Sequence, residues 1–151
     1  MGSMDKDEFL VRVREGHASV DERVRAMDAA ELERPRRDDG WSARDVLAHI
    51  AAWYDVATGR LRLLAEDKAD RIRWVEDEQA VDAWNAAFYA QACGLSTDEV
   101  RAGFAQAHDA LVSALEALPD DLWTQADPPA PLERWLGACT FEHDAEHLAE
   151  L

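Results

Sequence analysis

Apolar residues recur every three or four positions along nearly the whole chain, and this spacing most constrains the fold. Such a period places apolar side chains on one face of an α-helix. No segment shows the sustained alternation of apolar and polar residues that indicates a β-strand. The sequence therefore predicts an all-α protein. The clearest stripe comprises Val46, Ile50, Trp53, Ala57, Leu61 and Leu64.

The stripes divide the chain into four main helices and a short additional one. We expect helices over residues 5–29, 42–68, 81–92, 97–118 and 132–151, with a proline-rich connection at residues 127–131. Ser42, followed three residues later by Asp45, resembles a capping box at the start of the second helix. Because 151 residues suffice for one buried core, the helices predict a single bundle domain over residues 5–151. Residues 1–4 read as a cloning remnant.

The charge balance restricts the partners. The chain has 32 acidic and 16 basic residues, so its formal net charge is −16. This charge repels nucleic-acid phosphates and anionic membranes. No apolar run is long enough to span a bilayer, and no signal-peptide pattern is present. With only two cysteines, Cys93 and Cys139, we expect a cytoplasmic protein that binds neither nucleic acid nor membrane.

Three of the five histidines have a pattern that suits a metal ion. His143 and His147 are four residues apart, so on a helix they lie on one face. His49 lies beside the apolar stripe of the second helix and is expected to point inward. Three imidazoles offer three nitrogen ligands and leave positions open for water or substrate, as in a catalytic site. Zn, Ni, Fe and Mn would all accept this ligand set.

Two acidic residues near these histidines are candidates for catalysis or for orienting a ligand. Asp45 lies one turn before His49, and Glu146 immediately precedes His147. Either carboxylate could hold the second ring nitrogen of a histidine or act as an acid or base. The alternative for both is a solvated surface charge.

Other residues have two readings each. Cys139, one turn before His143, is either a small buried core residue or, as a thiolate, a fourth ligand or nucleophile. His17 and His108 lack a partner at ligand spacing, so we expect them to be structural groups that could meet in the core. Three tryptophans either belong to the core or line a pocket near the histidines, namely Trp41, Trp53 and Trp135.

Two segments resemble a known family. Residues 39–53, DGWSARDVLAHIAAW, resemble the signature that opens the second helix in the DinB/YfiT-like superfamily. Residues 140–147, TFEHDAEH, look like the closing H-x-x-x-H helix of that family, so the resemblance covers the whole chain in order and length. It implies a DinB-like four-helix bundle of up-down-down-up order. It also implies one divalent metal ion held by His49, His143 and His147.

The resemblance implies a function as well. Known activities in the family are thiol-dependent transferases and isomerases that use mycothiol, bacillithiol or glutathione. The first expectation is therefore a metal-dependent transferase or hydrolase that acts, with a low-molecular-weight thiol, on a small electrophilic substrate in detoxification. Relatives are often homodimers, and a homodimer is a further expectation.

One branch of the family leads to a different reading. Residues 82–85 (DAWN), 95–100 (LSTDEV) and 104–118 are similar to the ClbS/DfsB-like branch. That similarity implies, as an alternative, a metal-free resistance protein that binds or hydrolyses an electrophilic natural product. A non-enzymatic stress protein in the same fold is the third reading.

Overall fold

The computed structural model describes residues 4–124 and 132–151, and in these two stretches every regular element is a helix. The all-α prediction is confirmed, whereas the predicted connection at residues 127–131 lies outside the described residues. None of these helices is long and apolar enough to cross a membrane. The helices are α1 (Lys6–Arg25), α2 (Ala29–Glu33), α3 (Ala43–Ala65), α4 (Glu78–Ala92), α5 (Thr97–Ala117), α6 (Asp120–Trp123), α7 (Leu132–Cys139) and α8 (Phe141–Leu148), with a 3-10 turn at Ala69–Arg71.

The start of α3 is set by local hydrogen bonds. The Ser42 hydroxyl accepts from the Asp45 amide at 3.2 Å, and Asp45 Oδ2 accepts from the Ser42 amide at 2.9 Å. Ahead of this cap, Gly40 has a φ of 87°, in the left-handed region that glycine tolerates. The predicted capping box is thus confirmed. Four other helices begin at a side chain that accepts from the amide three residues later, namely Asp5, Asp28, Asp77 and Ser96.

The apolar stripes form the core between the long helices. Every residue of the stripe that predicted α3 is buried, and Ile50 and Ala57 have no exposed surface at all. Burial of one large apolar side chain contributes about 1.5–3 kcal/mol, so this helix supplies much of the stability.

The helices α1 and α5 run in opposite directions. The Lys6 ammonium donates to the Leu118 carbonyl at 2.9 Å, and the Arg101 guanidinium donates to the Met27 carbonyl at 2.7 Å. The start of each helix therefore lies at the end of the other.

The helix α3 runs in the same direction as α5. At the start of α3, the Arg44 guanidinium donates to the carbonyls of Ala92 and Leu95, which lie at the end of α4 and in the turn just ahead of α5. Further along α3 and α5, the Tyr54 and Phe104 rings stack with centroids 5.9 Å apart. These contacts place α3 and α5 side by side and parallel.

The segments α7 and α8 run back along α3 and parallel to α1. Arg60, late in α3, contacts Cys139, whereas Tyr54, earlier in α3, donates to Asp144 at 2.8 Å. The Phe9 ring, early in α1, lies 5.2 Å from the ring of Phe141 at the start of α8. Gly16, further along α1, faces Asp144, which is one turn further along α8. The order is up-down-down-up, and the predicted DinB-like bundle is confirmed.

Two predicted helices are interrupted. The first was expected over residues 5–29, but α1 ends at Arg25 because Asp28 caps the separate helix α2. The last was expected to be continuous from residue 132, but Thr140 leaves helical geometry with φ −126° and ψ −112°. The Thr140 hydroxyl donates to the Leu136 carbonyl at 2.7 Å, which stabilises the break. The terminal histidines consequently lie on a helix of their own, α8.

Candidate metal centre

Three histidine side chains converge where the first turns of α3 meet α8. The Nε2 atom of His143 is 3.0 Å from Nε2 of His49 and 3.0 Å from Nε2 of His147. One ligand atom from each histidine lies within 4.8 Å of the others. Within residues 4–124 and 132–151 this is the one group of three such side chains. The structure therefore brings together the three predicted histidines, close enough to share one ion.

Burial determines the charge of this cluster. Burial lowers the pKa of His49 to about 4 and that of His143 to about 3, and its effect is larger than that of the neighbouring charged groups. At neutral pH both imidazoles are uncharged. Two uncharged ring nitrogens at 3.0 Å repel each other unless a proton or a cation lies between them. A divalent cation accepts all three lone pairs at once, so the donor set fits a metal ion.

Glu150 orients His147, and the sequence reasoning missed it. A carboxylate only accepts, so the 2.6 Å contact of its Oε2 with Nδ1 of His147 places the proton on Nδ1. The lone pair of Nε2 is then free to face the other histidines. By contrast, Nδ1 of His49 and Nδ1 of His143 are buried, and neither has a hydrogen-bond partner in the part of the chain that the structure describes. The available signal was the spacing of three from His147, which puts Glu150 on the same helical face.

The two acidic candidates have different positions. Asp45 belongs to the helix cap, where its hydrogen bonds go to Ser42 and its ion pair to Arg44 at 3.3 Å. The structure does not bring it to the histidines. Glu146 is exposed and lines the same pocket as His147. Of the two predicted candidates, Glu146 is the one that a pocket ligand would meet.

The histidines lie in the wall of an open pocket of about 870 Å³. The Trp41 ring meets the His49 ring edge-on at 5.4 Å. The Trp53 indole donates to Asn85 at 2.9 Å, which holds α4 against α3. A largely apolar pocket of this size suits a small organic molecule. All three predicted tryptophans line it, together with two further aromatic residues, namely Trp41, Trp53, Trp135, Trp74 and Tyr89.

Cys139 lines the same pocket but contacts Arg60. Its Sγ lies 3.9 Å from Nη1 of Arg60. Burial raises the pKa of the Cys139 thiol, and the neighbouring Arg60 offsets part of that rise. The thiol is therefore protonated at neutral pH and fits the reading as a small buried residue.

His17 and His108 form a second pair, away from the three histidines. Their rings stack with centroids 3.7 Å apart, and His17 also stacks on Phe104 at 4.4 Å. Burial is the main cause that lowers the pKa of His17 to about 4 and lowers that of His108. The two meet between α1 and α5, as the sequence reasoning allowed, but both residues are half-buried and lie at the edge of the core.

Comparison with known proteins adds a family and a fold. No curated protein matches the sequence. Among solved structures, the chain is similar to one titled "Sibling Lethal Factor Precursor - DfsB", with a TM-score of 0.78 and 16% sequence identity. The match covers 99% of this chain and 94% of that one, and at this identity it shows a shared fold. The family model of the DinB superfamily matches residues 12–151, and the chain therefore belongs to the DinB superfamily.

Proposed function

We propose that this protein is a divalent-metal-dependent enzyme whose ligands are His49, His143 and His147. The observation that carries the proposal is the convergence of three Nε2 atoms in the wall of a large apolar pocket. Three histidine ligands leave positions for water, a thiol or a substrate. When bound, the metal would supply Lewis acidity and would lower the pKa of a water molecule or thiol. Zn, Ni, Fe and Mn all suit the ligand set.

The proposed reaction is attack by a low-molecular-weight thiol, or by water, on a small electrophilic substrate in detoxification. The aromatic walls would hold the apolar body of the substrate and exclude water from it. Glu146, which lines the pocket and precedes His147 in the chain, is the proposed base that would accept a proton from the nucleophile. Glu150 would keep His147 in the orientation that ligation needs.

Elemental analysis of protein purified without a histidine tag tests the metal. We expect close to one divalent ion per chain in the unaltered protein and little in the His49→Ala variant. His108→Ala is the matched control, because it removes a part-buried histidine that contacts none of the three proposed ligands. A protein without stoichiometric metal, or metal retained by the His49→Ala variant, would refute the proposal.

A thiol panel tests the catalysis. Mycothiol, bacillithiol and glutathione would each be incubated with an electrophile, with and without a chelator. We expect thiol consumption that a chelator and the His49→Ala substitution both abolish. Turnover that survives both treatments would instead support the metal-free reading drawn from the ClbS/DfsB-like resemblance.

A further inference from the structure

Arg60 is a buried cation in the wall of the pocket. It is 7% exposed, and its guanidinium lies 4.7 Å from the ring centroid of Trp74 and 5.5 Å from that of Trp135. One Nη atom donates to the Arg73 carbonyl at 3.2 Å, and the other lies 3.9 Å from the Cys139 sulfur. The Nε atom is buried and has no hydrogen-bond partner among the described residues. No carboxylate within residues 4–124 and 132–151 forms an ion pair with it.

This arrangement is unusual for a chain with so many acids. Of its 32 acidic residues, none in the described parts of the chain balances the charge of Arg60. An unpaired buried charge is unfavourable, and burial accordingly lowers the pKa of Arg60. Aromatic rings compensate only part of that loss. An anion entering the pocket would compensate the rest.

Arg60 and His49 lie along the same line of α3. They are eleven residues apart, which is about three helical turns and a rise of about 16 Å. Trp53 lies between them, one turn after His49. All three line the one pocket. A ligand that reaches both ends is therefore elongated, with an apolar middle against the tryptophan.

We propose that Arg60 binds the carboxylate of an elongated, apolar monocarboxylic acid. A single negative charge matches the one arginine of the pocket that has no carboxylate partner among the described residues, and a guanidinium donates to both oxygens of a carboxylate. Apart from the proposed metal ion, a dianion would need a second free cation, but the other arginine of the pocket, Arg37, already pairs with Asp39 at 2.7 Å and with Glu150 at 3.3 Å. The assignment of the electrophile to the far end of this acid rests on the proposed metal function. The preference of Arg60 for an acid is independent of that function.

The test compares 4-phenylbutyrate with the uncharged 4-phenylbutyramide by titration calorimetry. The two probes share shape and apolar area, so the difference reports the charge. We expect the acid to bind roughly 10-fold or more tightly than the amide, since hydrogen bonds to a charged group are the strong ones. Arg60→Gln should bring the acid to the affinity of the amide and leave the amide within about twofold. Arg62→Gln, on the exposed side of the same helix, should change neither.

Both the metal-loaded and the chelator-treated protein are measured, because a carboxylate can also bind a metal. The preference for the acid should persist without metal. The proposal would be overturned if the two probes bound equally or if the acid did not bind. It would also be overturned if the preference for the acid survived Arg60→Gln or disappeared when the metal was removed. The comparison in the unaltered protein decides the question even if Arg60→Gln fails to fold. A protein that lacks metal but prefers the acid would refute the metal function and leave this site standing.

Discussion

Replacement of Glu150 tests whether the histidine cluster is built to hold a metal. Its Oε2 accepts from Nδ1 of His147 at 2.6 Å and also faces Arg37 at 3.3 Å. Glutamine keeps the length of the side chain and one acceptor oxygen, so Glu150→Gln removes the charge but not the hydrogen bond. Glu150→Ala removes both. The two variants therefore separate the electrostatic contribution from the orientation of the ring.

The expected magnitude follows from the surroundings of Glu150. Removal of a carboxylate that holds a ligating histidine lowers metal affinity by about 10- to 100-fold, or about 1.4–2.7 kcal/mol. Arg37 already offsets part of the charge, and the Glu150 side chain is 31% exposed. We therefore expect a loss of about 10-fold for Glu150→Gln and of about 100-fold for Glu150→Ala.

Competition with a chromophoric chelator at neutral pH measures the affinity. Glu116→Gln is the control, because this substitution removes a 2.8 Å ion pair between Glu116 and Arg14 that contacts no histidine. The metal-free forms of Glu150→Gln and Glu116→Gln should unfold alike, since an exposed pair contributes at most about 1 kcal/mol. Affinities of both Glu150 variants within about twofold of the Glu116→Gln control would refute the reasoning.

Two further substitutions probe the packing beneath the site. In Gly16→Ala, the new Cβ would lie 2.7 Å from Oδ2 of Asp144. We expect the free energy of unfolding, measured in urea, to fall by about 1–3 kcal/mol, and metal affinity to fall because α8 shifts. Gly59→Ala should be neutral or stabilising, because its Cβ would meet no atom of the described residues within 4 Å. Equal stability of the two variants would contradict the packing argument. The third prediction concerns pH. Burial lowers the pKa of His17 to about 4 in the folded chain, whereas in the unfolded chain this histidine takes up a proton below about pH 6.5. The free energy of unfolding therefore falls as the pH is lowered from about 6.5 to about 4. In metal-free protein, His17→Phe should reduce this loss of unfolding free energy by about 1–3 kcal/mol, as measured by urea unfolding at several pH values. An unchanged pH dependence would count against a neutral His17 stacked on His108.

Local pattern predicted the fold class and, to within one residue, the starts of α1, α3, α5 and α7, whereas α4 begins three residues before its predicted start. A stripe repeating every three or four residues can be buried only on one face of a helix, and Ser42 with Asp45 forms its cap without help from the rest of the chain. The ends of helices were predicted less well. The break at Thr140 depends on how α7 and α8 each pack against the bundle, which residue propensity does not report. The homodimer and the cytoplasmic location stay predictions.

The sequence by itself determined that His143 and His147 share a helix face, because a spacing of four is a property of the helix alone. The family resemblance implied that His49 lies opposite them, and the packing of α3 against α8 brings the three Nε2 atoms together. Only the tertiary structure decided that Arg60 lies in the pocket wall and that no carboxylate of residues 4–124 and 132–151 pairs with it. Contacts between residues far apart in the chain depend on how helices cross and how deeply they pack, and no local pattern encodes either quantity.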